Sequence, residues 1–336
     1  MSYRIQILET HESFVVEPGE TLLQGATRAG VCLPHDCQLG GCGTCRIKLV
    51  EGTVAYEELP MGLAPDEEAA GYALACQALP QGDAVISTAR DDEACAAPVA
   101  HHALVREARP LSRDVHYLKL EVPEAGLLDY RPGQYLKILT GDGRTRSFSM
   151  ASVPSAGVVD LHVRRIPGGT FTDGALQQLR PGDALQVELP HGAFFYRAKD
   201  YRPLLMVATG TGLAPIKSIL EALMDDGDCP PVSLYWGARE PSDLYLHDEI
   251  RGWGERLYDF RYVPVLSRAR DDWQGRRGYV QSAVLEDLGE LSGELSEYAI
   301  YLCGSPEMIR DARAAFIARG ASPDHIYADS FTFQRG

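Results

Sequence analysis

The chain is short of several things, and each shortage excludes something. It has no run of 18 uncharged apolar residues, so no stretch reads as a transmembrane helix. Its first nine residues alternate polar and apolar side chains and lack the layout of a secretion signal, so a cytoplasmic location is expected. There is no internal repeat and no long low-complexity tract. Basic residues are scarce: 32 Lys and Arg face 47 Asp and Glu, a net charge of −15. That balance argues against nucleic acid, whose phosphates need a basic face. The deficit is concentrated in residues 1–93, where 5 Lys and Arg meet 15 Asp and Glu. An acidic segment of this kind suits docking to a basic partner, with charge setting the encounter rate. It equally serves simply to keep the segment soluble.

At 336 residues the chain exceeds one ordinary domain, and three blocks emerge. Residues 1–93 open with strand-like runs at Tyr3–Leu8 and Ser13–Val16, then a short helix from Thr21 to Ala29 with Gly30 as its stop. Residues 94–102, small and without periodicity, read as a linker whose Cys95 is incidental. Residues 103–199 carry β-type runs at Val115–Val122, Gln134–Leu139, Val158–Val163 and Ala184–Glu188, separated by Pro-Gly and Gly-Asp turns, which predicts a small antiparallel barrel. From 200 to 336 the rhythm changes. Apolar runs at Leu204–Ala208, Val232–Trp236, Tyr262–Leu266 and Ala299–Leu302 alternate with helical patterns such as Ile216, Ile219, Leu220 and Leu223. A parallel sheet wrapped by helices follows.

Only eight cysteines are present, and four are clustered by spacing: Cys37-x4-Cys42-x2-Cys45, then Cys76 after thirty intervening residues. This is the spacing of a plant-type [2Fe–2S] centre, which needs soft anionic sulfur. Gly40, Gly41 and Gly43 give the loop freedom to fold round a cluster and let backbone N–H groups face its sulfurs. The rival is zinc, but structural zinc takes two close ligand pairs and only Cys42 and Cys45 form one. A Rieske centre needs two histidines, and His35 is alone. Cys32, at the helix end, is expected in the core.

Two further motifs lie downstream. Arg146-Ser147-Phe148-Ser149 is followed by Pro167-Gly168-Gly169-Thr170-Phe171-Thr172. For a flavin, Arg146 offers a fork of donors to a pyrophosphate. Phe148 offers a face to the isoalloxazine ring, and Ser149 a hydrogen bond to that ring's edge. The glycine turn offers the backbone N–H groups of Gly169, Phe171 and Thr172 to phosphate. Taken alone, both motifs also fit an ordinary strand and turn. The third block opens with Thr209-Gly210-Thr211-Gly212-Leu213-Ala214-Pro215 at a strand-to-helix turn, where glycines let a dinucleotide phosphate approach the backbone. The Rossmann fingerprint is incomplete, because Pro215 takes the place of its last glycine. Gly237 and Arg239 end another strand at the same sheet edge, and Asp243 is placed to read an adenosine ribose. No Ser/Arg/Lys cluster is evident for a 2′-phosphate, although Arg239 offers a charge, so NADH is expected over NADPH.

In this order the motifs resemble the ferredoxin–NADP reductase superfamily. There an Arg-x-Tyr/Phe-Ser flavin barrel precedes a nicotinamide domain with a Gly-rich turn ending in Pro and a Cys-Gly-x-Pro segment, here Cys303-Gly304-Ser305-Pro306. The resemblance implies a multidomain α+β and α/β chain: a plant-type ferredoxin β-grasp domain, an antiparallel Greek-key β-barrel for flavin, and a parallel-sheet α/β nicotinamide domain. It implies that His162, Val163 and Arg164 lie on a strand lining the flavin, that Cys303 sits beside the nicotinamide, and that Phe331 in the tail covers the flavin ring or packs nearby. Ser149 and Cys303 are the catalytic candidates for hydride geometry. The domain order is similar to that of reductase components of bacterial Rieske dioxygenases and diiron monooxygenases, of the benzoate dioxygenase reductase type, which favours FAD over FMN. The expected activity is hydride transfer from NADH to FAD, then single electrons through the cluster to an oxygenase docked on the acidic domain, by a monomer. Ala214–Glu221 also resembles CDP-6-deoxy-glucoseen reductases of deoxysugar biosynthesis. A non-catalytic electron carrier is a third reading, against which the intact turn and Cys303 count.

Overall fold

The computed structural model describes residues 1–35, 37–88, 96–124, 126–291 and 293–331. It divides into two compact units: Met1–Ala94 with Tyr327–Ser330, and Cys95–Ile326 with Phe331–Gly336. Cys95 and residue 94 of the expected linker lie outside the described residues.

In the first unit, strands β1 (Tyr3–Ile7) and β2 (Ser13–Val16) alternate as the sequence does, burying Ile5, Ile7, Phe14 and Val16. Helix α1 (Leu22–Arg28) starts at a reciprocal cap. The Thr21 hydroxyl accepts from the Gln24 N–H at 3.2 Å, and the Gln24 side chain accepts from the Thr21 N–H at 2.9 Å. The helix lies close against β2 because Gly25 has no side chain; a Cβ there would meet the Val16 side chain at 2.7 Å. Then come β3 (Arg46–Glu51), β4 (Val54–Ala55), α2 (Pro65–Ala69), β5 (Tyr72–Leu74), β6 (Leu79–Pro80) and β7 (Ala84–Ser87). The main sheet runs β2-β1-β7-β3-β5, with β1 and β7 parallel, and β4 pairs with β6. Arg46 and Glu67 form a buried ion pair at 3.3 Å, their side chains 3% and 5% exposed, and the guanidinium lies 4.3 Å from the Tyr72 ring centre.

The second unit begins with β8 (Val99–Pro110). Residues 99–102, expected in the linker, are therefore strand, with His101 and His102 opposite Val187 and Gln186. Composition conceals this, because the pairing comes from a partner strand some eighty residues away. Next are β9 (Val115–Glu121), β10 (Tyr135–Leu139), β11 (Thr145–Ser149), β12 (Val158–Arg164) and β13 (Ala184–His191). They form an antiparallel sheet in the order β11-β10-β13-β8-β9-β12. A bridge between Met150 and Leu161, with the Ala151 N–H donating to Asp160 O at 2.7 Å, joins the two outer strands. Sheet edges that would stand open are thereby paired.

The rest of the unit is β14 (Leu204–Thr209), α3 (Leu213–Met224), β15 (Val232–Ala238), α4 (His247–Arg251), β16 (Phe260–Leu266), β17 (Arg276–Arg277), α5 (Val280–Glu286), β18 (Ala299–Gly304) and α6 (Pro306–Ile317). The parallel strands lie in the order β17-β16-β15-β14-β18. Residues 204–208 are all buried, as a sheet covered on both faces requires. On α3, Ile216, Ile219, Leu220 and Leu223 are buried as their spacing predicts. Asp287, at the end of α5, is fully buried and accepts from Tyr235, Arg261 and Arg276.

The antiparallel and parallel sheets meet through aromatic and polar contacts. His162 on β12 is 7% exposed, and its Nδ1 lies 3.2 Å from the Tyr245 hydroxyl. Tyr245 in turn stands edge-on to Trp236, ring centres 5.2 Å apart. Burial, with Lys217 and Arg109 nearby, holds the His162 imidazole down to about 3.

Two outcomes follow. An imidazole held below its ordinary value takes up its proton more readily in the unfolded chain. Its contribution is therefore complete above about pH 6.5 and lost as pH falls. The second unit should lose about 2 kcal/mol between pH 6.5 and 5, and His162→Gln should flatten that slope in denaturant titrations. In the first unit, Glu67→Ala leaves Arg46 buried without its carboxylate and should cost about 3–5 kcal/mol, read as lost amide-exchange protection in β3 and β5. Arg46→Met with Glu67→Leu should recover most of it.

Candidate functional site

The cysteine loop is shaped by backbone that only some residues accept. Gln38, Gly40 and Gly43 all have positive φ, and a Cβ on Gly40 would meet Pro60 at 2.7 Å. The Gly62 N–H donates to Gly40 O at 2.7 Å, so the 60–62 loop is fastened to the cysteine loop. Cys42, Cys45 and Cys76 are 3%, 3% and 6% exposed, and Cys37 is half-buried. The four thiols stand as two pairs, Cys37 with Cys42 and Cys45 with Cys76, each sharing a hydrogen bond. The bond from Cys42, with backbone N–H groups of Leu39, Cys42 and Gly41, brings Cys37 down to about 6. The bond from Cys45 lowers Cys76, with help from the Gly40 N–H. A lone zinc needs four ligands in one tetrahedron, whereas two pairs of sulfurs ringed by N–H donors suit a two-iron centre. His35 is engaged elsewhere, its Nδ1 2.8 Å from Leu33 O. Cys32 is exposed rather than in the core; Leu33, 1% exposed, takes the buried place.

In the second unit, β11 brings Arg146, Ser147, Phe148 and Ser149 to one end of the antiparallel sheet. Phe148 packs on Phe171 with ring centres 5.6 Å apart, which joins the two motif segments. Asp142 joins them again. Its carboxylate accepts from Arg146 at 3.3 Å and from the Thr170 hydroxyl at 3.4 Å. Ser149 is 7% exposed and Ser147 is on the open side of the strand. An arginine and a threonine hydroxyl already gathered round one carboxylate fit a flavin diphosphate, which would take the same donors. The glycine turn is less free than its sequence implies. The Gly169 N–H donates to Ile166 O at 2.9 Å, the Gly168 N–H to Asp173 at 2.8 Å, and Thr172 accepts from the Ile166 N–H at 3.1 Å. On β12, Val163 is sealed in the core of the sheet, while Arg164 pairs with Asp114 at 3.0 Å and reaches toward Gly210.

The parallel strands end in a cleft of close backbone contacts. A Cβ on Gly212 would lie 2.2 Å from Cys303 O, one on Gly304 2.1 Å from the Thr209 hydroxyl, and one on Gly237 3.1 Å from Thr209 and from Val280. The Trp236 indole donates to Gly210 O at 3.0 Å. Thr209, Gly210, Thr211, Gly212, Gly237, Cys303 and Gly304 thus converge at the carboxyl ends of β14, β15 and β18, where open α/β sheets bind ligands. Backbone this free of side chains fits a dinucleotide phosphate. Cys303 is fully buried, Ser305 caps α6 ahead of Pro306, and the Phe331 N–H donates to Gly304 O at 2.9 Å. Arg239 is exposed, with Ser267 and Arg268 hydrogen-bonded alongside at Ala238 O and Arg239 O. Asp243 accepts from the Glu240 N–H at 3.1 Å, so it closes its own turn. Sequence reasoning missed Asp142, Tyr245, Lys217 and Ser218. The last two carry a signal, a polar pair inside an apolar helix stripe.

Family models match along the whole order: a 2Fe-2S iron-sulfur cluster binding domain at residues 5–81, an oxidoreductase FAD-binding domain at 102–196, and an oxidoreductase NAD-binding domain at 206–314. The chain is 34% identical over 346 residues to reductase component 2 of terephthalate 1,2-dioxygenase from Comamonas sp, covering 98% of each. It is 30% identical to the CDP-6-deoxy-L-threo-D-glycero-4-hexulose-3-dehydrase reductase of Yersinia pestis, covering 98% of this chain and 99% of that one. Among solved structures, the Amycolatopsis cytochrome P450 reductase matches with a TM-score of 0.73 at 33% identity, covering 98% of each chain. The chain therefore belongs to the family of NAD(P)H-dependent iron–sulfur flavoprotein oxidoreductases that carry a [2Fe–2S] cluster, FAD and a nicotinamide nucleotide in successive domains.

Proposed function

We propose that this reductase serves an oxygenase, taking electrons in pairs from NADH and delivering them singly to a partner that docks on the acidic first unit. The observation that carries the reading is the presence in one chain of a glycine cleft closed on Cys303 and a loop of paired cysteines. When bound, the nicotinamide supplies a hydride, the flavin takes it and releases electrons one by one, and the cluster passes one at a time. Everything else falls to side chains and backbone. Cys37 and Cys42 would hold one iron, Cys45 and Cys76 the other. Arg146 and Thr170 would hold the flavin diphosphate, Phe148 would pack on the ring, and Ser149 would hydrogen-bond its edge. Thr209 to Gly212, with Gly237, would hold the dinucleotide, and Cys303 with Gly304 would set the nicotinamide's position. On this reading the first unit is a β-grasp ferredoxin domain, the closed antiparallel sheet is a Greek-key flavin barrel, and the chain works as a cytoplasmic monomer.

Likeness to the dehydrase reductase supports a second reading, in which the electrons serve deoxysugar dehydration. Reconstitution separates the two. NADH oxidation coupled to product formation with a candidate oxygenase supports the first, and coupling only to a sugar dehydrase overturns it.

Two variants test the division of labour. Cys42→Ser should abolish cytochrome c reduction while leaving NADH-driven bleaching of the flavin at wild-type rate; loss of both would sink the proposed order of transfer. Cys303→Ala should slow flavin reduction by about 10- to 100-fold with FAD content unchanged, as stopped-flow absorbance will read, because a slightly misplaced donor loses most of its advantage.

A further inference from the structure

Helix α3 is attached at two places. Its amino end follows the Thr209–Gly212 turn directly, and its middle is fastened to the antiparallel sheet. Lys217 and Ser218 are 8% and 0% exposed on a helix whose neighbouring positions, Ile216, Ile219 and Leu220, are fully buried. Burying an ammonium and a hydroxyl is costly unless both are paired. The Lys217 ammonium donates to Ala151 O at 3.0 Å and also pairs with Glu221. The Ser218 hydroxyl donates to Ser152 O at 2.6 Å. Two consecutive helix residues therefore grip two consecutive carbonyls of the chain leaving β11, beginning two residues after Ser149. Ser152 is held from the other side as well: the Tyr130 hydroxyl donates to its carbonyl at 3.0 Å, and the Asp160 N–H to its hydroxyl at 3.1 Å. Next along the helix, Ile219 packs where a Cβ on Gly133 would meet it at 3.1 Å. Apolar residues at 217 and 218 would fill the same space without burying charge, so packing alone does not account for this pair.

We propose that Lys217 and Ser218 are positioning residues for hydride transfer. They lock the Ser149–Ser152 segment in register with the Thr209–Gly212 turn. The helix between turn and grip is short, about 9 Å of rise, and stiff. A ring edge held at Ser149 and a nicotinamide held at the turn then meet in one geometry instead of a spread of them. The proposal rests on the functional reading above.

The test uses the full chain with Lys217→Met, Ser218→Ala and the double variant, beside Lys217→Arg and Glu221→Gln. The double variant should slow flavin reduction by about 10- to 100-fold. Its NADH affinity should stay within about twofold, which separates lost positioning from lost binding. It should also lose the long-wavelength absorbance of stacked nicotinamide and flavin. In FAD-stripped protein, amide exchange should accelerate at residues 150–153 and not in β14 or β15, a readout independent of turnover. Lys217→Arg, which keeps a donor, should restore most of the rate. Glu221→Gln, which leaves the Lys217–Ala151 bond in place, should stay near wild type. The proposal is overturned if the double variant keeps flavin reduction within about twofold, or if its rate falls only in proportion to lost FAD or lost folded protein. If the wild-type chain binds no FAD and oxidises no NADH, the functional reading fails and takes the proposal with it.

Discussion

A side chain at position 212 would put its first carbon 2.2 Å from the carbonyl oxygen of Cys303, and much of the second unit is arranged around that near-contact. Because glycine stands there, the turn leaving β14 lies directly on the end of β18. The same closeness recurs at Gly304 against Thr209 and at Gly237 against Val280. Backbone packed this tightly leaves N–H groups and carbonyls, rather than side chains, lining the cleft. It also fixes where α3 starts. Once the first turn of the helix is pinned, the direction of every residue beyond it follows from helical geometry, including the two that reach the antiparallel sheet.

The parts legible in the sequence are those whose cause is local. The helix expected from Thr21 is one of them, and in the structure Thr21 and Gln24 bond to each other's backbone at its start. The apolar run at 204–208 and the spacing of Ile216, Ile219, Leu220 and Leu223 declare a buried strand and helix for the same reason. The cysteine spacing is readable because one loop carries three of the four clustered cysteines. What failed depends on distant partners. Residues 99–102 look like linker until β13 is beside them. Cys32 looks like core, yet the chain's turn after Gly30 points Leu33 inward and leaves Cys32 outside. The contact of His162 with Tyr245, 83 residues along the chain, is likewise hidden from the sequence. Asp243 accepts from the Glu240 N–H, a turn contact that residue type alone does not announce.

Buried charge is treated consistently. Arg46 with Glu67, Lys217 with Glu221, and Asp287 with two arginines are all paired. Such groups add little net stability over well-packed apolar residues, but each tolerates only one arrangement of its neighbours. They sit where the order of neighbours matters: directly after Cys45, between the two sheets of the second unit, and at the end of α5. In contrast, the acidic residues described between 1 and 88 are mostly exposed, where their charge acts at long range and is screened by salt.

The Asp142 carboxylate between Arg146 and Thr170 has a consequence for how the protein folds. It accepts from both, and so ties β11 to a turn that follows it by some twenty residues. A part-exposed pair of this kind contributes only about 0–1 kcal/mol. The link therefore steers the two segments toward each other as the sheet forms without locking either in place.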